Sequence, residues 1–248
     1  MVVEILRQRL IDRLGEPWPL VVLEGIPGAG KRTLLRQWAS APCDGVLRGL
    51  ASLDPRQPTM PAVIVQLLRA LEQRGADVPR VAYQRLVTAT GPEESADIFG
   101  SVLARLGPVE LGVVGYERLP PDAFGGLAAL HRRLPQLRVL METTDAGVAV
   151  ERAAADGLPL VTIGDQELAF EPGEVADLLA GTGGRPSPGA AEALWEATGG
   201  HVGATAAAIG SDPRACLAGE VSRPDVLHRW WEGRDDPLPF EEYLFKTA

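Results

Sequence analysis

Cysteine is nearly absent from this chain: Cys43 and Cys216 are the only two in 248 residues, far apart and without His or Cys neighbours. That argues against a metal site built on thiolates. A basic cluster is also missing. Lys and Arg number 24 against 33 Asp and Glu, for a net charge of −9, which disfavours direct nucleic-acid binding by this chain. No apolar run approaches membrane-spanning length, and MVVEILRQRLIDRLG reads as a charged amphipathic helix, unlike a signal peptide. These absences lead to the expectation of a cytoplasmic protein with no membrane contact. No internal repeat is visible. What remains is a globular composition, 46% hydrophobic with Gly and Pro spread along the chain, and a length that fits one α/β domain with a smaller appendage.

Residues 20–35, LVVLEGIPGAGKRTLL, carry the chemistry. Leu20, Val21, Val22 and Leu23 form the continuous apolar run of a strand buried on both faces of a parallel sheet. Gly25-Ile26-Pro27-Gly28-Ala29-Gly30-Lys31 then has the spacing of a P-loop, whose glycines turn backbone N–H groups toward one anion. Lys31 opens a helix, where the dipole and unpaired amides favour a phosphate. The next residue is Arg32, where the motif requires the Ser or Thr hydroxyl that coordinates Mg²⁺. Thr33 is placed to reach an α-phosphate. It does not replace that hydroxyl, because one helix position turns a side chain by about 100°. ATP or ADP binding is therefore the expectation, with Mg²⁺ lacking its usual ligand. Arg32 pairs well with phosphate oxygens and is expected to supply the charge that a metal would.

The surrounding pattern alternates. Helix signals cover 2–15, 31–40, 60–75, 92–107, 120–135 and 146–156; strand signals cover 20–23, 46–54, 109–115, 137–145 and 158–164. Such alternation predicts a mostly parallel sheet covered on both faces, an α/β P-loop NTPase fold over residues 1–165. From 166 to 210 only helix signals remain, punctuated by Pro172, Pro188 and Gly pairs, so a small helical subdomain is expected. Residues 211–248, with Trp230, Trp231, Phe240, Tyr243 and Phe245, read as a docked final helix or the start of a further, truncated domain.

The order of these phrases resembles the STAND-class signalling NTPases, specifically the nucleotide-binding module of large, maltose-activator-like LuxR-type transcription regulators. The phrases that carry it are LVVLEGIPGAGKRTLLRQWAS with Trp38, GLASLDP with Asp54, ELAFEPGEVADLL, and EALWEATGGHVGATAAAI. The resemblance implies a module that switches between geometries according to what fills its cleft, and that works through other protein domains or subunits. It also implies two acidic residues at the end of the strand at 109–115, which here align with Val114 and Gly115. An Arg that senses the γ-phosphate aligns with Thr144, and a Gly-x-Pro signature reads Gly200-His201-Val202. Neither Val nor Gly holds a cation or accepts a proton.

The expectation is a regulatory nucleotide-binding module deficient in hydrolysis. Two alternatives stay open. One is an active ATPase using Glu142 or Glu117, of which Glu142 is better placed near the end of a neighbouring strand. The other is a protein-interaction scaffold whose nucleotide site is empty. A P-loop small-molecule kinase finds no Arg-rich lid and no second substrate motif in this sequence.

Overall fold

The apolar runs become a five-stranded sheet in a computed structural model that describes residues 4–54, 56, 59–115, 130, 131, 134 and 137–221. β1 (Leu20–Glu24), β2 (Leu47–Ser52), β3 (Val109–Val114), β4 (Leu137–Thr143) and β5 (Leu160–Ile163) lie in the order β2-β3-β4-β1-β5. Every pairing is parallel. β3 is buried along its whole length and β1 along its first four residues, as a sheet covered on both faces requires. β1 lies inside the sheet, between β4 and β5, with Leu23 opposite Glu142.

Six helices accompany these strands among the described residues: α1 (Gln8–Leu14), α2 (Lys31–Ser40), α3 (Met60–Glu72), α4 (Arg80–Thr88), α5 (Pro92–Leu106) and α6 (Gly147–Ala155). α3 buries Met60, Val63, Ile64, Leu67, Leu68 and Leu71, the stripe its periodicity announced, and packs on β2, α4 and α5. α4 was not anticipated. It buries only Ala82 and Leu86, too few apolar positions to show a period. α1 starts at Gln8, later than expected. Glu117, most of the helix expected over 120–135, and residues 222–248 lie outside the described residues.

The chain divides into two compact units. The sheet unit comprises Ile11–Glu24 and Arg32–Ile163. Its core runs through Val22, Leu67, Leu71, Phe99, Leu111 and Met141. Near the start of β3 a carboxylate is buried in this unit: Glu110 faces Arg48 on β2 and Arg138 on β4, its register partners on either side. Arg48 Nε donates to Glu110 at 2.7 Å and Arg138 Nη1 donates to its other oxygen. Arg138 also donates to the carbonyls of Leu14, Glu16 and Trp18, and Arg48 donates to that of Trp38 while lying over the Trp38 ring.

The second unit comprises Met1–Leu10, Gly25–Lys31 and Gly164–Ala248. Its described helices are α7 (Asp165–Leu168), α8 (Pro172–Ala180), α9 (Ala190–Thr198), α10 (Val202–Ser211) and α11 (Pro213–Ala218). Pro172 stands in the first turn of α8, where its missing N–H costs nothing, and Glu171 and Glu174 form a reciprocal capping box there. Gly199 and Gly200, both at positive φ, end α9. The core of this unit joins Phe170, Val175, Leu178, Leu179, Leu194 and Ala204 to a residue from far upstream, Ile26. Arg7 and Arg9 belong to it too. They donate to the carbonyls of Leu168 and Ala169, pair with Glu174, and Arg7 lies over the Phe170 ring. Burial pushes the Arg7 guanidinium below its ordinary value while Glu174 pulls it back up.

Candidate functional site

The loop of residues 25–31 leaves β1 at Glu24 and enters α2 at Lys31. Gly28 and Gly30 stand at φ of 90° and 83°, the left-handed region that glycine enters without penalty. The Lys31 side chain is buried, and its ammonium donates to the carbonyls of Gly25 and Ile26, at 3.2 Å to the latter. Gly28 is exposed, Pro27 half-buried and Ala29 buried, with Ala29 N–H closing a turn on the Ile26 carbonyl. A phosphate at this loop would meet a lysine folded onto the loop's own carbonyls.

Residues beyond β5 hold the same loop. Asp165 accepts from the Ile26 N–H, at 3.0 Å to Oδ1 and 3.4 Å to Oδ2. Gly203 N–H donates to the Gly28 carbonyl at 2.9 Å. The methyls of Val202 lie where a Cβ on Gly30 would approach within 3.1–3.2 Å. His201 caps α10, its Nδ1 accepting from the Ala204 N–H at 3.1 Å.

In the sheet unit, Arg32 Nε donates to Glu142 Oε1 at 2.8 Å. The Arg32 side chain is 61% exposed and that of Glu142 only 4%. Arg32 therefore spends a guanidinium edge on a buried carboxylate at the C-terminal end of β4. Thr33 is half-buried and accepts from Arg36. Val114, the last residue of β3, is buried, and Gly115 follows at φ of 80°. An aspartate or glutamate at 115 would have to adopt a conformation that side-chain-bearing residues rarely take. Asp54 pairs with Arg56, whose guanidinium holds its carboxyl below the usual range. Among the described residues no group of three or more His, Cys, Asp or Glu is placed to hold a metal ion, and no helix is long and apolar enough to cross a membrane.

Solved structures share this architecture. The fold is that of a P-loop NTPase. A Walker-type ATPase of Pyrococcus abyssi superposes with a TM-score of 0.65 at 14% identity, over 91% of this chain and 72% of that one. A STAND protein with a tetratricopeptide repeat sensor from Pyrococcus horikoshii gives 0.61 at 14% identity. There the match covers 95% of this chain but only 33% of the other. A chain of the Drosophila ORC bound to DNA gives 0.55, also at 14% identity, over 94% of this chain and 70% of that one. No protein-family model and no curated protein matches. At such identities the likeness speaks for the fold alone.

Of the residues singled out in the sequence, the structure brings Gly25 to Lys31 into one loop and joins Arg32 to Glu142. Asp165, Gly203 and Arg7 were not singled out. The structure shows what Gly25 leaves room for: it lacks the positive φ of Gly28 and Gly30, and a Cβ on it would collide with Asp165.

Proposed function

We propose that this chain is a regulatory nucleotide-binding module, of the kind found in LuxR-type STAND signalling proteins, that binds ATP or ADP without metal-dependent hydrolysis. The observation that carries the reading is the Arg32–Glu142 pair. Arg32 stands where a P-loop supplies the metal's hydroxyl ligand, and it is joined to the carboxylate best placed to serve as a catalytic base. Val114 and Gly115 support it further, since neither side chain can hold a cation or accept a proton. Phosphate affinity would rest on Lys31 and the loop amides, which fit an anion well; the residues present do not fit Mg²⁺. Partners would be other protein domains or subunits.

The test is calorimetry with ATP and ADP, each with Mg²⁺ and with EDTA, alongside a turnover assay. Binding should change less than about threefold on removing Mg²⁺ and should be lost in Lys31→Ala, because one charge-assisted phosphate contact accounts for about 1.5–3 kcal/mol. Turnover should be absent, and Arg32→Thr should not create it while Val114 and Gly115 remain. Robust Mg²⁺-dependent turnover abolished by Lys31→Ala would refute the proposal.

A second reading, a scaffold that takes no nucleotide, is favoured by the Lys31 ammonium already donating to the Gly25 and Ile26 carbonyls. No binding of either nucleotide by the wild type would select it.

A further inference from the structure

The residue after the loop's first glycine, Ile26, is held by a carboxylate that follows it by 139 residues in the chain. A Cβ on Gly25 would collide with Asp165 Oδ1 and come within 3.1 Å of the Ala29 Cβ. Ile26 is 3% exposed and belongs to the apolar core with Phe170, Val175 and Leu194. Gly203 and Val202 engage the loop further on, at Gly28 and Gly30. The beginning of the loop is therefore seated by a hydrogen bond to a carboxylate and by burial of the Ile26 side chain. The carboxylate and the apolar residues around Ile26 come from the chain that follows the sheet.

We propose that Asp165 is a positioning residue for phosphate binding: by taking the Ile26 N–H it fixes the start of the loop, so that the following amides keep the geometry that receives the anion. The inference rests on the nucleotide reading above. Two effects of the carboxylate oppose each other. Its charge repels a polyphosphate, whereas its acceptor oxygen orders the loop, and preorganised donors bind an anion more tightly than donors that must be ordered on binding. Asp165→Asn separates them, since the amide oxygen still accepts from Ile26 while the charge is gone; Asp165→Ala removes both.

The experiment measures ADP affinity in EDTA and amide hydrogen exchange at Ile26 in the nucleotide-free protein. Asp165→Ala should weaken ADP by about tenfold, the equivalent of one lost charge-assisted bond, and should unmask the Ile26 amide. Asp165→Asn should restore both toward wild type. Gly25→Ala should also weaken ADP, but should cost less on top of Asp165→Ala than alone, because the shorter of its two close contacts has gone and only that with Ala29 remains; independent sites would add. If either single variant folds poorly, exchange at the Ile26 amide of the wild type and ADP binding by Asp165→Asn still test the proposal.

Asp165→Ala binding ADP as tightly as wild type would overturn the proposal. So would Asp165→Asn binding as weakly as Asp165→Ala, or an unprotected Ile26 amide in the wild type. Absence of ADP and ATP binding by the wild type would instead overturn the nucleotide reading, and exchange at Ile26 would still report on Asp165.

Discussion

Arg32 keeps most of its side chain in solvent while its partner Glu142 is almost wholly buried, and the two halves of that pair should respond unequally to substitution. Removing Glu142 returns an exposed guanidinium to water. Removing Arg32 leaves a carboxylate in the interior without it. Arg32→Ala should therefore cost about 1–3 kcal/mol in urea unfolding, and Glu142→Gln clearly less. The reverse order would mean that Glu142 is satisfied by another group. Glu110 is the opposite case, a buried acid between two largely buried arginines that also serve several carbonyls. Glu110→Ala strands two cations at once and should lower the unfolding free energy by about 3–5 kcal/mol. A loss below about 1 kcal/mol would show that water reaches the arginines in the folded state.

At the scale of single elements, α10 begins at His201, whose Nδ1 takes the place of the usual Ser or Asp oxygen. His201→Ala should cost about 1 kcal/mol and His201→Asn should recover most of it, as read from thermal unfolding. Equal loss in both would mean that the imidazole matters for its bulk. Such caps, like the strands, are local in chain terms, and local features are what a sequence displays. β1, β3 and α3 were legible because Leu20–Leu23, the apolar residues of 109–114 and the Met60–Leu71 stripe each repeat a single environment over several residues. α4 was not, having only two buried positions to betray its period. The loop was legible from its spacing. Its attachment to Asp165 was not, because a single long-range hydrogen bond leaves no periodic trace. The join between Arg32 and Glu142 was hidden for the same reason: both residues stood out, but the register that placed β4 beside β1 did not.

For the whole molecule, the unit rich in helices is assembled from three separated stretches of chain, and its core includes Ile26 and the half-buried Ile5. A fragment spanning 164–221 would lack Ile26, Arg7 and Arg9. It should show no cooperative thermal transition by far-UV circular dichroism, since so short a helical chain depends on packing for its stability. A sharp, reversible melt of that fragment would contradict this. The two cysteines offer a probe in the intact chain. Cys216 is 1% exposed and burial pushes its thiol up, whereas Cys43 is partly exposed. A thiol reagent at neutral pH should modify Cys43 quickly and Cys216 only when its unit opens, because the thiolate is the reactive form. Equal rates for the two in native buffer would mean that Cys216 is open to solvent.

The place of Ile26 in that core also bears on how the chain is made. During synthesis, Ile26 emerges long before Phe170, Leu194 and Ala204, the residues it packs among. At translation rates of about 5–20 residues per second, the delay is on the order of ten seconds. Throughout that time the nascent loop has neither its apolar socket nor the Asp165 carboxylate. The loop of residues 25–31, made well before the groups that seat it, is thus among the last parts of its unit to acquire its final shape.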